Sequence, residues 1–90
     1  MGLDGVELVM ECEDAFQIRI ADADAAVTET VGQLQSLCIR LVEEQTQTTL
    51  SQERREAICQ EVRVIVSEQL SVKIHRVIPE ARFVQDLGMY

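Results

Sequence analysis

Ninety residues supply one modest core and are too few for a second, so a single domain over residues 1–90 is expected. The chain is 47% hydrophobic but only 3% aromatic, with one proline, four glycines and no tryptophan, which favours an all-α fold over a sheet. The formal charge of −8 is uneven: residues 1–50 hold ten acids against Arg19 and Arg40, whereas residues 51–90 set six acids against six bases. An acidic first half repels phosphate backbones and anionic lipid, which argues against nucleic acid and membrane partners and favours a basic protein surface. No secretory signal or long apolar run is visible, so the expected location is cytoplasmic.

The first element runs from Leu3 to Phe16. Leu8, Val9, Cys12 and Phe16 recur every three or four residues, and Glu7, Glu11, Glu13 and Asp14 occupy the other side, the pattern of an amphipathic helix with Asp4 as its N-cap. "QIRIADADAAV" reads as a loop with a brief helical turn near Asp22 to Ala26. Thr30 caps the next helix, whose stripe is Val31, Leu34, Leu37, Cys38, Leu41 and Val42. "TQTT", residues 46–49, is polar and β-branched, so residues 46–50 form a linker. Ser51 then caps a third long helix with the stripe Ile58, Val62, Ile65 and Leu70, ending near Leu70 and Ser71. Beyond it lie the proline and scattered apolar residues, which read as a long C-terminal loop pinned onto a helical bundle. The last stretch, "ARFVQDLGMY", sets Phe83, Val84 and Leu87 at helical-turn spacing and reads as a passage with its continuation missing.

Few residues suggest chemistry. Cys12, Cys38 and Cys59 form no CxxC pair and are odd in number, which suits small apolar residues inside helices better than zinc or disulfides. His75 is the single histidine and has no adjacent cysteine or carboxylate pair, so it reads as a surface residue. "DADA" at 22–25 lacks the glycine and terminal glutamate of a calcium loop. No set of nucleophile, base and orienting group is visible, so no enzyme is expected. Arg54 and Arg55 read as members of i,i+4 pairs on the outer face of the third long helix.

The chain does resemble one family. "GLDGVELVMECEDAFQIRIADADAAVTETVGQL" resembles the second half of an acyl carrier protein, the carrier of fatty-acid and polyketide synthesis, through Leu3-Asp4, Val6 to Met10, Phe16, Ile18, Ile20, Asp22 and Thr30-Val31-Gly32. Residues 51–90, with "VSEQL" and "VIPEARFVQDLG", resemble the first half of the same family, so the order is reversed. The resemblance implies an all-α, acyl-carrier-like bundle of three long helices plus one short one, circularly permuted as helices II-III-IV-I. In that reading residues 1–45 are the family's second half, 46–50 a linker and 51–90 the first half. A few linker residues at about 3.3 Å each span a gap of roughly 10–15 Å, and exposed, neighbouring ends tolerate permutation. It also implies that Tyr90 lies beside Gly2.

The resemblance further implies a phosphopantetheine cofactor on the serine of an Asp-Ser-Leu motif at the head of the family's second helix. Tyr90, Gly2 and Leu3 stand at those positions, and glycine has no oxygen to form the phosphodiester. No cofactor is therefore expected, nor any metal. What the resemblance retains is the family's recognition helix, with Leu3, Val6, Glu7, Met10, Glu11, Glu13 and Asp14 as partner-binding residues. A basic protein surface is the expected partner, and acyl-chain-processing enzymes are candidates. Two other readings stand beside this interaction module: a carrier modified at a non-standard serine such as Ser36 or Ser51, and an assembly protein. In the last, a "TQTT" that stays helical makes residues 31–70 one rod of roughly 60 Å, which forces a swapped dimer.

Overall fold

The computed structural model describes residues 3–89, apart from the Leu3 side chain. Among these residues four α-helices form and no strand: α1 (Leu3–Phe16), α2 (Asp22–Ala26), α3 (Val31–Thr46) and α4 (Gln52–Leu70), followed by a single 3₁₀ turn, Ile74–Arg76. The fold is therefore all-α, with three long helices and one short. Helix α4 packs against both α1 and α3, which also touch each other. The adjacency expected between Gly2 and Tyr90 lies outside the described residues.

The apolar stripes become the core. Leu8 and Cys12 of α1 are buried, as are Val31, Leu34, Leu37, Cys38 and Val42 of α3 and Ile58, Val62, Ile65 and Val66 of α4. Val9, Phe16, Leu41 and Leu70, all expected in the stripes, are only partly buried, while Val66 takes a fully buried place next to Ile65. Asp4 lies within the first turn of α1 rather than capping it, where its carboxylate still faces the positive end of the helix dipole. Thr30 and Ser51 do cap. The Thr30 hydroxyl accepts from Gln33 N at 3.2 Å while the Gln33 carboxamide oxygen accepts from Thr30 N at 3.0 Å, closing a capping box. The Ser51 hydroxyl accepts from Arg54 N at 3.2 Å.

All three long helices end the same way, and without glycine. Gln17, Gln47 and Ser71 adopt left-handed backbone with φ of 53–54°. In each case the next N–H returns to the carbonyl five residues back: Ile18 to Glu13 (3.2 Å), Thr48 to Glu43 (3.2 Å) and Val72 to Ser67 (3.1 Å). Two of these exits carry a second clasp. Glu13 and Glu43 each reach forward seven residues, where a carboxylate oxygen accepts from Ile20 N and Leu50 N respectively, both at 2.8 Å. Because α3 stops at Thr46 and Gln47 turns the chain, the rod over residues 31–70 does not form, and α4 packs against α3 within one chain. Arg55, read as an i,i+4 partner on the outer face, instead crosses to α3 and donates to Glu43 Oε2 at 3.1 Å. The reason is that Glu43 already bends over the turn toward Leu50, which brings its charge to the first turns of α4.

After α4 the chain is tied to the bundle at both ends of its path. The Arg63 guanidinium donates to Val77 O (2.8 Å) and Ile74 O (3.1 Å), holding the 3₁₀ turn on α4. Further on, Pro79 O accepts from Gly32 N (2.9 Å), Ala81 O from Val31 N (3.0 Å) and Glu29 O from Phe83 N (3.0 Å). The approach at Gly32 is close: a Cβ there would stand 3.1 Å from Pro79 O and 3.2 Å from Pro79 Cβ. This ladder drops Val77, Ala81, Phe83, Leu87 and Met89 into the core. The helical spacing seen in "FVQDL" resolves into turns, with Phe83 and Leu87 buried and Val84 exposed. Gly88, at φ 72°, reverses the chain so that Met89 N donates back to Phe83 O at 2.8 Å.

Two predictions follow from these exits and clasps. Gln47 is exposed and left-handed, so Gln47→Gly removes Cβ strain and should raise stability by about 0.5–1 kcal/mol in urea unfolding. The Leu50 N–H, and then Arg55, hold the Glu43 carboxyl below the usual range, and the Arg82 N–H does the same for Asp86. A lowered folded-state pKa contributes stability that is complete above the unfolded value and lost as pH falls through the folded one. The melting temperature should therefore drop from about pH 4.5 downward, and Glu43→Gln with Asp86→Asn should shallow that drop in calorimetry.

Candidate functional site

The residues expected to bind a partner lie along α1, and the structure divides them. Leu8 and Cys12 turn that helix's apolar stripe inward, which leaves Val6 and Met10 outward at 49% and 56% exposure. Glu7, Glu11 and Asp14 are exposed with them. Apolar side chains set among acids in this way cost solvation in the free protein and gain when a surface covers them. Glu13 behaves differently: it is half-buried and its carboxylate is taken by Ile20 N, so it fastens the loop that leads into α2. The bond spans seven residues, a separation at which helical periodicity gives no warning of contact.

That clasp creates a groove. By holding Ile20 in the core and α2 beside α1, it leaves an open cleft of about 460 Å³ between Val6, Met10 and Glu13 on one side and Asp22, Ala25 and Ala26 on the other. The floor is apolar, with Val9 and Ile20, and acids stand at the rim. Alanines 25 and 26 set its width, since larger residues on α2 would fill it. Helical spacing sets Val6 and Met10 opposite Leu8 and Cys12, but nothing in it signals that α2 completes the cleft. Beneath α1 the packing is dense: the void between Leu8, Leu34, Leu37, Phe83 and Met89 holds about 10 Å³, near the volume of one water-sized sphere.

The remaining candidates are dispersed. Cys12 of α1 lies against Cys38 of α3, both fully buried, and Cys59 of α4 is partly buried on the Cys38 side. The contact with Cys38 and then burial push the Cys12 thiol far above its ordinary value, and burial raises Cys59, so these thiols stay protonated and serve as packing groups. Among the described residues no three His, Cys, Asp or Glu side chains are grouped to hold a metal. His75 is exposed on the 3₁₀ turn. Ser36 is exposed on α3 and lines a second open groove with Thr28 and Arg40, while Ser51 is occupied as a helix cap. No described helix is long and apolar enough to cross a membrane. What the fold and site define is a small helical bundle bearing an acidic, apolar-studded cleft. No family model, curated protein or solved structure matches the chain.

The division within α1 is testable by substitution. Glu13→Ala removes the acceptor of a part-buried N–H and should cost about 1–2 kcal/mol in chemical denaturation, whereas Glu11→Ala, on the same helix but exposed, should change stability by less than about 0.5 kcal/mol.

Proposed function

We propose that this chain is a circularly permuted acyl-carrier-like domain that carries no phosphopantetheine and works as a non-enzymatic docking module in the cytoplasm. The observation that carries this reading is the exposure of Val6 and Met10 among Glu7, Glu11 and Asp14, at the lip of the α1–α2 cleft. A partner for that surface presents lysine or arginine around an apolar anchor, and acyl-chain-processing enzymes are the proposed class. The acids guide encounter and register, and the apolar pair supplies the buried area.

Support for the permuted order comes from the element lengths and the joints. Reading α1, α2, α3 and α4 as the family's second, third, fourth and first helices places the one short helix third. The stretch 46–50 that would join old end to old start is a tight turn held by Glu43. Met89 lines the same small void as Leu8, which brings the late chain close to α1. The long tail after α4 then corresponds to the family's loop between its first and second helices. Gly2 at the serine position is the reason to exclude a carrier role.

Incubation with a phosphopantetheinyl transferase and coenzyme A, followed by intact-mass spectrometry, should leave the mass unchanged. A gain of one phosphopantetheine group, mapped by peptide digestion to Ser36, Ser51 or another serine, would overturn the non-carrier reading. The docking reading is tested separately with a helical peptide that flanks leucines with lysines. Its titration should shift α1 and α2 amide resonances, and Met10→Glu should weaken binding at least tenfold.

A further inference from the structure

The molecule carries a second exposed apolar patch, and its charge is opposite to that of α1. Around the 3₁₀ turn, Ile74 and Ile78 are exposed beside exposed Lys73 and Arg76. The turn is held in shape from below. Val77 is fully buried, and Arg63 of α4 binds the carbonyls of both Ile74 and Val77, so the knuckle needs little ordering when it docks. Arg76 spends one N–H on Asp86 O at 2.8 Å, while the Asp86 carboxylate is engaged by Arg82 at 3.3 Å. Glu80 and Asp86 share a shallow groove with Arg76 and Ile78 on one side of the turn, so Lys73 beside Ile74 is the cation set clear of that groove, and Arg76 reaches outward past Asp86.

We infer that a second copy of this chain is an occupant of the α1–α2 cleft, inserting its Ile74–Ile78 knuckle over Val6 and Met10 while Lys73 and Arg76 meet Glu7, Glu11 and Asp14. The inference rests on the reading of α1 as a docking surface and assigns that surface a ligand present in the same sequence. Each patch supplies what the other lacks: the cleft is concave, apolar-floored and acid-rimmed, and the 3₁₀ turn presents exposed Ile74 and Ile78 with Lys73 and Arg76 beside them. The two patches are different surfaces, so the contact is heterologous. A copy whose cleft is filled still offers its knuckle, and association extends beyond a pair. The net charge of −8 opposes this at long range, but at about 0.15 M salt repulsion is screened beyond roughly 8 Å while the facing charges lie within that distance. The patches are small, so the contact belongs to the weak class.

Sedimentation equilibrium of the full chain at about 0.15 M salt, carried to about 1 mM, reads this directly. The apparent mass should rise with concentration and pass that of two chains. Two double variants with exposed substitutions split the interface: Val6→Glu with Met10→Glu closes the cleft, and Lys73→Glu with Ile74→Glu reverses the knuckle. Each alone should sediment as a single chain and keep the wild-type circular dichroism. Mixed in equal amounts they should form a two-chain species and stop there, because one working cleft meets one working knuckle. A wild type that stays at one chain's mass up to about 1 mM overturns the inference, as does a mixture with no two-chain species. If that single-chain wild type still binds the lysine-flanked peptide, self-association is wrong and the docking reading stands. If the peptide shifts no α1 resonance, the docking reading itself has failed.

Discussion

The first turn of α3 is where the fold is decided. A helix start leaves N–H groups without partners, and each one buried unsatisfied costs about 1–3 kcal/mol, a large share of the margin of a domain this small. Here Val31 and Gly32 give theirs to carbonyls of Ala81 and Pro79, and Gln33 gives its own to the Thr30 hydroxyl. One cap thus does two jobs: it begins a helix, and it captures a segment about fifty residues later in the chain. Everything placed by that capture, including Phe83, Leu87 and Met89 in the core, depends on Gly32 allowing Pro79 to approach. A side chain at position 32 would push away the strap that closes the bundle.

Periodicity made the three long helices readable, because a stripe such as Val31, Leu34, Leu37, Cys38 and Val42 has only one face to bury. Their starts were readable too, since Thr30 and Ser51 are residues whose oxygen reaches back to free N–H groups. The ends were less so. Gln17, Gln47 and Ser71 take a conformation that sequence reasoning assigns to glycine, and they hold it because the returning N–H and, twice, a glutamate clasp outweigh the strain. The tail after α4 has no sustained period, and its order comes from bonds to the distant Val31 and Gly32 N–H groups, to the Glu29 carbonyl and to Arg63. Spacing in sequence carries no record of such bonds, which is why "FVQDL" keeps helical-turn spacing yet folds as turns.

The same division runs through the candidate site. The exposure of Val6 and Met10 could be deduced from the wheel of α1, since Leu8 and Cys12 claim the other side. Glu13 could not be separated from Glu11 on that wheel, because its role depends on where Ile20 comes to rest. Nor could α2 be recognised as the far wall of a cleft, as a five-residue helix with no buried residue gives no packing signal. The cysteines illustrate the reverse case: spacing in sequence gives no sign of contact, yet Cys12 of α1 and Cys38 of α3 come together in the core, where they serve as small packing groups.

Gln35 is the one buried polar side chain among the described residues, and its amide donates to the Cys59 carbonyl of α4 at 3.1 Å. The faces that meet there are built from Val, Ile and Leu, whose knobs are nearly interchangeable from one turn to the next. A slip of α3 by a turn would keep much of the greasy contact but strand an amide in a dry interior. Gln35 therefore acts as a ratchet tooth, giving a bundle of similar parts a single setting at which its helices, and so its cleft and its strap, come into alignment.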